Sequence, residues 1–74
     1  MSTPVDIEAA RLTVSQVVAR ANRALDEIGD LDGPAYAGVD AAALACLESA
    51  RHKLRSAAAF AGQQYDRLRR EATS

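Results

Sequence analysis

The chain has 74 residues, which is enough for one domain, and we assign residues 1–74 to it. Its single cysteine excludes an internal disulfide, and without a Cys/His cluster a structural zinc site is excluded too. A net charge of −1 and a pI of about 5.7 disfavour nucleic-acid binding. A hydrophobic core this small gives only marginal stability by itself. We therefore expect the chain to associate with another chain.

Composition also bears on origin and location. Alanine supplies 17 of the 74 residues and arginine outnumbers lysine eight to one, a bias expected of a high-GC genome such as that of an actinobacterium or its phage. The N-terminal residues lack the basic and apolar stretches of a secretory signal, and the lone cysteine favours the cytoplasm. No apolar run approaches the length of about 18 residues that a membrane-spanning helix needs.

The first predicted helix covers about residues 4–28. Its start is indicated by Thr3 as N-cap, Pro4 at the first helical position and Asp6 at the third. Gly29 follows as a residue suited to ending a helix. The stripe predicted to face the second helix consists of Ile7, Ala10, Val14, Val17, Ala21, Ala24 and Ile28, widened by Val18 and Leu25.

Residues 29–40 are predicted to form the turn between the helices, because they contain three glycines and the Gly33–Pro34 pair. Asp40 should cap the second helix, at about residues 41–72, with Val39 and Leu44 in contact across its start. The apolar stripe of this helix consists of Ala43, Leu44, Leu47, Ala50, Leu54, Ala58, Ala61, Tyr65, Leu68 and Ala72.

These elements predict an all-α fold, an antiparallel two-helix hairpin. Alanine-rich stripes bury little area per residue, so we expect the hairpin to complete a four-helix bundle by homo-oligomerisation. If residue 28 lies level with residue 41, everything after Tyr65 overhangs the first helix and leaves Leu68 uncovered.

Several large apolar residues lie off the two stripes. On helical spacing, Val5 and Leu12 point about 160–180° away from Val14, and Phe60 points about 140° away from Leu47. We expect them to form one patch near the open end of the hairpin. Phe60 could instead fill the hairpin's own core, and the partner could be a second copy or a foreign protein. The candidate interface residues are Val5, Leu12, Phe60, Tyr65 and Leu68.

Residues for catalysis or metal binding are sparse. His52 and Cys46 lie about 120° apart around the second predicted helix, so they cannot share a metal ion. A Ser–His–Asp or Cys–His set could be assembled only by arbitrary choice of its members. We therefore predict that the protein is not an enzyme and holds no cofactor.

Three functions remain open. The leading hypothesis is a protein–protein interaction module (an adaptor, inhibitor or antitoxin-like protein) that forms a homodimer or a higher oligomer and does not bind membranes. Residues 43–50 resemble the second helix of phage-encoded hairpin proteins that sequester cyclic nucleotides. This resemblance implies an anti-defence sponge, with Arg67, Arg69 and Arg70 as candidate anion-binding residues between subunits. The third hypothesis is that the protein is a nucleic-acid accessory protein.

Overall fold

The structure is a computed structural model that describes residues 6–73, with side chains as far as residue 72. Helix α1 spans Ile7–Ile28, helix α2 spans Ala41–Thr73, and one turn of 3-10 helix, Pro34–Tyr36, lies between them. The two helices pack against each other, and residues 6–73 contain no strand. The predicted all-α helical hairpin is therefore confirmed.

Helix α1 begins later than predicted. The backbone of Asp6 is extended (φ −73°, ψ 103°), and its Oδ1 accepts hydrogen bonds from the backbone N–H groups of Glu8 at 3.1 Å and Ala9 at 3.3 Å. Asp6 is thus the N-cap, and the assignment of that role to Thr3 was wrong. The reason is that the Asp6 carboxylate satisfies N–H groups of the first turn and its charge suits the positive end of the helix dipole. Thr3 and Pro4 lie outside the described residues.

Two hydrogen bonds connect the segment that follows α1 to the end of that helix. Gly29 adopts a positive φ of 67° with ψ −152°, and its N–H donates to the carbonyl oxygen of Leu25 at 3.1 Å. Further along, the hydroxyl of half-buried Tyr36 donates to the carbonyl oxygen of Ile28. Because the last carbonyl groups of a helix lack partners within it, this bond both ends α1 and anchors the connection.

We expect Tyr36→Phe to lower the free energy of unfolding by about 1 kcal/mol, because it removes this hydrogen bond and leaves the ring in place. Urea denaturation at one protein concentration measures the change. Tyr65→Phe is the matched control, since the described residues provide the Tyr65 hydroxyl with no hydrogen-bond partner. Equal losses for the two variants would contradict the anchoring role of Tyr36.

The helix interface is confirmed with one correction on α1. Val14, Ala21 and Ala61 are 8%, 6% and 9% exposed and are the buried apolar residues of the described chain. Val17, predicted in the stripe, is 41% exposed, while Val18 is half-buried. Val18 lies about 40° from Val14 around the helix axis, whereas Val17 lies about 60° from Val14 in the opposite direction. Val18 is therefore nearer the buried side of α1 and takes the place predicted for Val17.

On α2 the predicted stripe is buried or half-buried except at its ends, where Ala43 and Ala72 are exposed.

The register differs from the predicted one. Tyr65 shares a shallow depression with Leu12 and Ser15, whereas Arg51 shares one with Gly29, so the helices are antiparallel and residue 28 lies near residue 51 rather than 41. Tyr65 lies against α1 and is half-buried, as is Leu68, so the predicted overhang after Tyr65 was wrong.

The longer helix explains this register. Helix α2 has 33 residues and α1 has 22, a difference of about 16 Å in length. The extra length lies at the turn end of the hairpin, where the first residues of α2 extend past the end of α1. Asp40 directly precedes α2, and its carbonyl oxygen accepts the N–H of Leu44 at 3.0 Å.

The hairpin is a single layer of helices. Its principal extents are 54 × 24 × 14 Å, and the smallest of these is about the thickness of one helix with its side chains. The radius of gyration is 16.9 Å, against about 11 Å for a compact domain of 74 residues. No helix among the described residues has a stretch long and apolar enough to cross a bilayer.

Candidate functional site: two faces of the helical layer

The layer has two broad faces, which helical spacing distinguishes. Ser15 lies about 100° from Val14 around α1, and Gly62 lies about 100° from Ala61 around α2. Ser15 and Gly62 line one depression together with Tyr65, so they belong to one face, which we call the Tyr65 face.

The residues of the opposite face lie in the other rotational direction around each helix axis, measured from the buried residues Val14 and Ala61. Val17 lies about 60° from Val14, and Phe60 about 100° from Ala61, each in the direction opposite to the residues of the Tyr65 face. Val17 and Phe60 therefore share the second face of the layer, which we call the Phe60 face.

The Tyr65 face is polar and carries both signs of charge. Near its open end, Nη2 of Arg11 contacts Oε1 and Oε2 of Glu8 at 3.0 and 2.8 Å. Leu12 borders the same depression as this ion pair. At this end the Tyr65 face therefore presents the side chain of Leu12 and the ring of Tyr65, surrounded by charged groups.

At the other end of the Tyr65 face, Arg51 and Arg55 line a depression with Asp26 and Asp30. Two guanidinium groups and two carboxylates leave no net charge there. A site for a phosphate or another anion needs an excess of positive charge or of N–H donors. The geometry therefore does not favour an anion at this depression.

The Phe60 face combines a large aromatic side chain with small and polar residues, since helical spacing places Lys53, Gln64 and Arg67 within about 40° of Phe60 around α2. Phe60 is 69% exposed, which makes it the most exposed of the large hydrophobic residues in the described chain, and Val17 on the same face is 41% exposed. A solvent-exposed aromatic ring beside small side chains is typical of a surface that another molecule covers. The remaining small or apolar residues that helical spacing assigns to this face are Ala10, Ala24, Ala50, Ala57 and Leu68.

The predicted interface residues do not form one patch. Leu12 is 62% exposed and borders the Tyr65 face, while Phe60 lies on the opposite face. Tyr65 and Leu68 are half-buried. Phe60 is not in the hairpin's own core, so that interpretation was wrong, and Val5 lies outside the described residues. The patch was expected because the assumed register placed Phe60 beside Ala9 and so close to Leu12.

The three arginines near the end of α2 are all exposed, but they do not share a side of the helix. Arg67 and Arg70 lie about 60° apart around the helix axis, whereas Arg69 lies about 160° from Arg67. Neighbours in sequence are spread around a helix, so a basic run does not by itself create a basic surface. An anion site at Arg67, Arg69 and Arg70 stays a prediction.

Sequence reasoning missed Val17 as a surface residue. The spacing of Val14, Val18, Ala21, Leu25 and Ile28 could have identified it, because these residues alternate steps of four and three and hold one narrow stripe. Val17 then falls at the edge of that stripe, toward the Phe60 face.

The described residues contain no group of three or more His, Cys, Asp or Glu side chains that could hold a metal ion. Cys46 is free and exposed. No protein-family model matches the sequence, and no curated protein or solved structure matches it significantly.

Proposed function

We propose that this protein is a small non-enzymatic interaction module that acts as a homo-oligomer, in which two hairpins pair to make a four-helix bundle. The role is that of an adaptor, inhibitor or antitoxin-like protein. A cytoplasmic location belongs to the same proposal and is supported by the free cysteine.

The observation behind this proposal is the amount of surface that one chain exposes. Its accessible area is 5765 Å². A compact monomer of 7.8 kDa is expected to expose about 4,400 Å². The excess of about 1,400 Å² exceeds the area of about 800 Å² that each partner buries in a standard protein–protein interface.

The sparse core supports the same conclusion. Two of the three buried apolar residues are alanines, and none of the described side chains is fully buried. Leu25 and Leu54, which lie in the helix interface, remain partly open to solvent. Domains are ordinarily built from at least two packed layers that bury such residues between them, and a second hairpin would supply the missing layer.

The mass of the protein in solution tests this proposal. We expect sedimentation equilibrium of the full chain to give at least twice 7.8 kDa, and the melting temperature to rise with protein concentration because association stabilises the folded state. A mass of one chain at every concentration, with a melting temperature that does not depend on concentration, would overturn the proposal. The position of Asp26 and Asp30 beside Arg51 and Arg55 gives no reason to propose a nucleotide or nucleic-acid function as well.

A further inference from the structure

We infer that a second copy of this chain docks on the Phe60 face, with α2 of one copy antiparallel to α2 of the other. This inference rests on the proposed homo-oligomer and specifies which surface forms it and in which orientation.

The chemistry of the Phe60 face fits a protein interface. Phe60 and Val17 provide large apolar side chains at its centre, and Ala57 beside Phe60 on α2 provides a small one. A partner helix can approach closely over alanine, and a large side chain can then insert beside it. Lys53 lies about 20° from Phe60 around α2, and Arg20 lies on the same side of α1, so polar groups border the apolar side chains of this face.

The position of Phe60 along α2 indicates a second copy as the occupant. Helix α2 runs from Ala41 to Thr73, so Phe60 lies only three residues beyond its midpoint at Ala57. A two-fold axis near these residues overlaps the two α2 helices over most of their length and brings each Phe60 beside the alanines of the other copy. Such a self-complementary arrangement is the rule for homodimers. This arrangement would also bury part of the excess exposed surface of each chain.

The charge distribution determines the orientation. The turn end of the layer, which by the register comprises residues 24–55, carries six acids and three bases, whereas the remaining residues carry six bases and four acids. Parallel copies would place the two acidic ends side by side, which is unfavourable because like charges repel. Antiparallel copies place each acidic end against the open end of the other, where acids and arginines are mixed. The six acids are Asp26, Glu27, Asp30, Asp32, Asp40 and Glu48.

A matched pair of charge substitutions tests the face. Phe60 and Leu12 are similarly exposed, so glutamate at either position should leave the hairpin folded, as circular dichroism would show. We expect Phe60→Glu to weaken self-association by at least about 100-fold, because it places a charge at the centre of the interface, and Leu12→Glu to keep the wild-type mass. Val17→Glu should weaken association as Phe60→Glu does.

Two outcomes separate this inference from the proposed function. Loss of the oligomer in Leu12→Glu with retention in Phe60→Glu and Val17→Glu would overturn the assigned face and leave the homo-oligomer intact. A monomeric wild-type chain would overturn both.

Thiol cross-linking tests the orientation. Cys46 lies 14 residues before Phe60, so with a two-fold axis near Phe60 the two Cys46 residues are about 40 Å apart along the antiparallel helices. A short bismaleimide should therefore not link wild-type copies. It should link copies of the variant Ala57→Cys with Cys46→Ser, whose thiol lies near the axis. Linking of both the wild type and the variant would establish a parallel arrangement instead, because each residue of α2 would then lie beside the same residue of the other copy.

Discussion

Ala61→Asp should unfold the protein under conditions in which Ala59→Asp remains folded. Ala61 is 9% exposed in the α1–α2 interface, so an aspartate there would bury a carboxylate without a partner. Such a burial costs several kcal/mol. A chain of 74 residues is expected to have a stability of only about 4–11 kcal/mol, so the loss takes a large part of it.

The matched control lies on the same helix. Ala59 is exposed, so aspartate at that position should cost only its lower helix propensity, about 0.5 kcal/mol. We expect the melting temperature to fall by more than about 10 °C for Ala61→Asp and by a few degrees for Ala59→Asp. Thermal unfolding followed by circular dichroism at one protein concentration makes the comparison. Similar melting temperatures would mean that α1 does not pack on this side of α2.

Gly29→Ala and Gly62→Ala should change the stability in opposite directions. The backbone of Gly29, at φ 67° and ψ −152°, lies in a region that only glycine adopts readily, so a Cβ there introduces strain of about 1–3 kcal/mol. Gly62 lies inside α2, and a Cβ added there meets no heavy atom within 4 Å. Alanine at that position should therefore stabilise the helix by about 0.5–1 kcal/mol.

Urea denaturation of both variants at the same protein concentration measures the two effects, since association also contributes to the apparent stability. A stabilising Gly29→Ala would show that the chain leaves α1 in another conformation. A destabilising Gly62→Ala would indicate that a Cβ at this position interferes with a molecule on the Tyr65 face.

The two helices and their connection were predictable because their signals are local. Periodic apolar residues indicate helices, and Gly29 and the Gly33–Pro34 pair interrupt them. The predicted end of α1 at residue 28 and the predicted start of α2 at residue 41 agree with the structure. The start of α1 was predicted wrongly, because the pattern placed Asp6 at the third helical position although an aspartate can itself cap a helix.

The arrangement of the two helices was not predictable in the same way. Rotating α1 slightly about its own axis exchanges Val17 for Val18 in the interface and breaks no hydrogen bond within the helix. Sliding α2 along α1 moves Tyr65 from a place level with the start of α1 to a place beside Ser15, again with each helix unchanged. Only packing between the helices distinguishes these alternatives, and that packing consists of many weak contacts.

The amino-acid sequence by itself therefore determined two amphipathic helices and their connection. Only the tertiary structure showed that the register places residue 28 near residue 51, and that Leu12 and Phe60 lie on opposite faces of one layer. The physical reason is that helix formation depends on neighbours within about four residues along the chain. The face that a helix presents depends instead on contacts with residues distant in sequence.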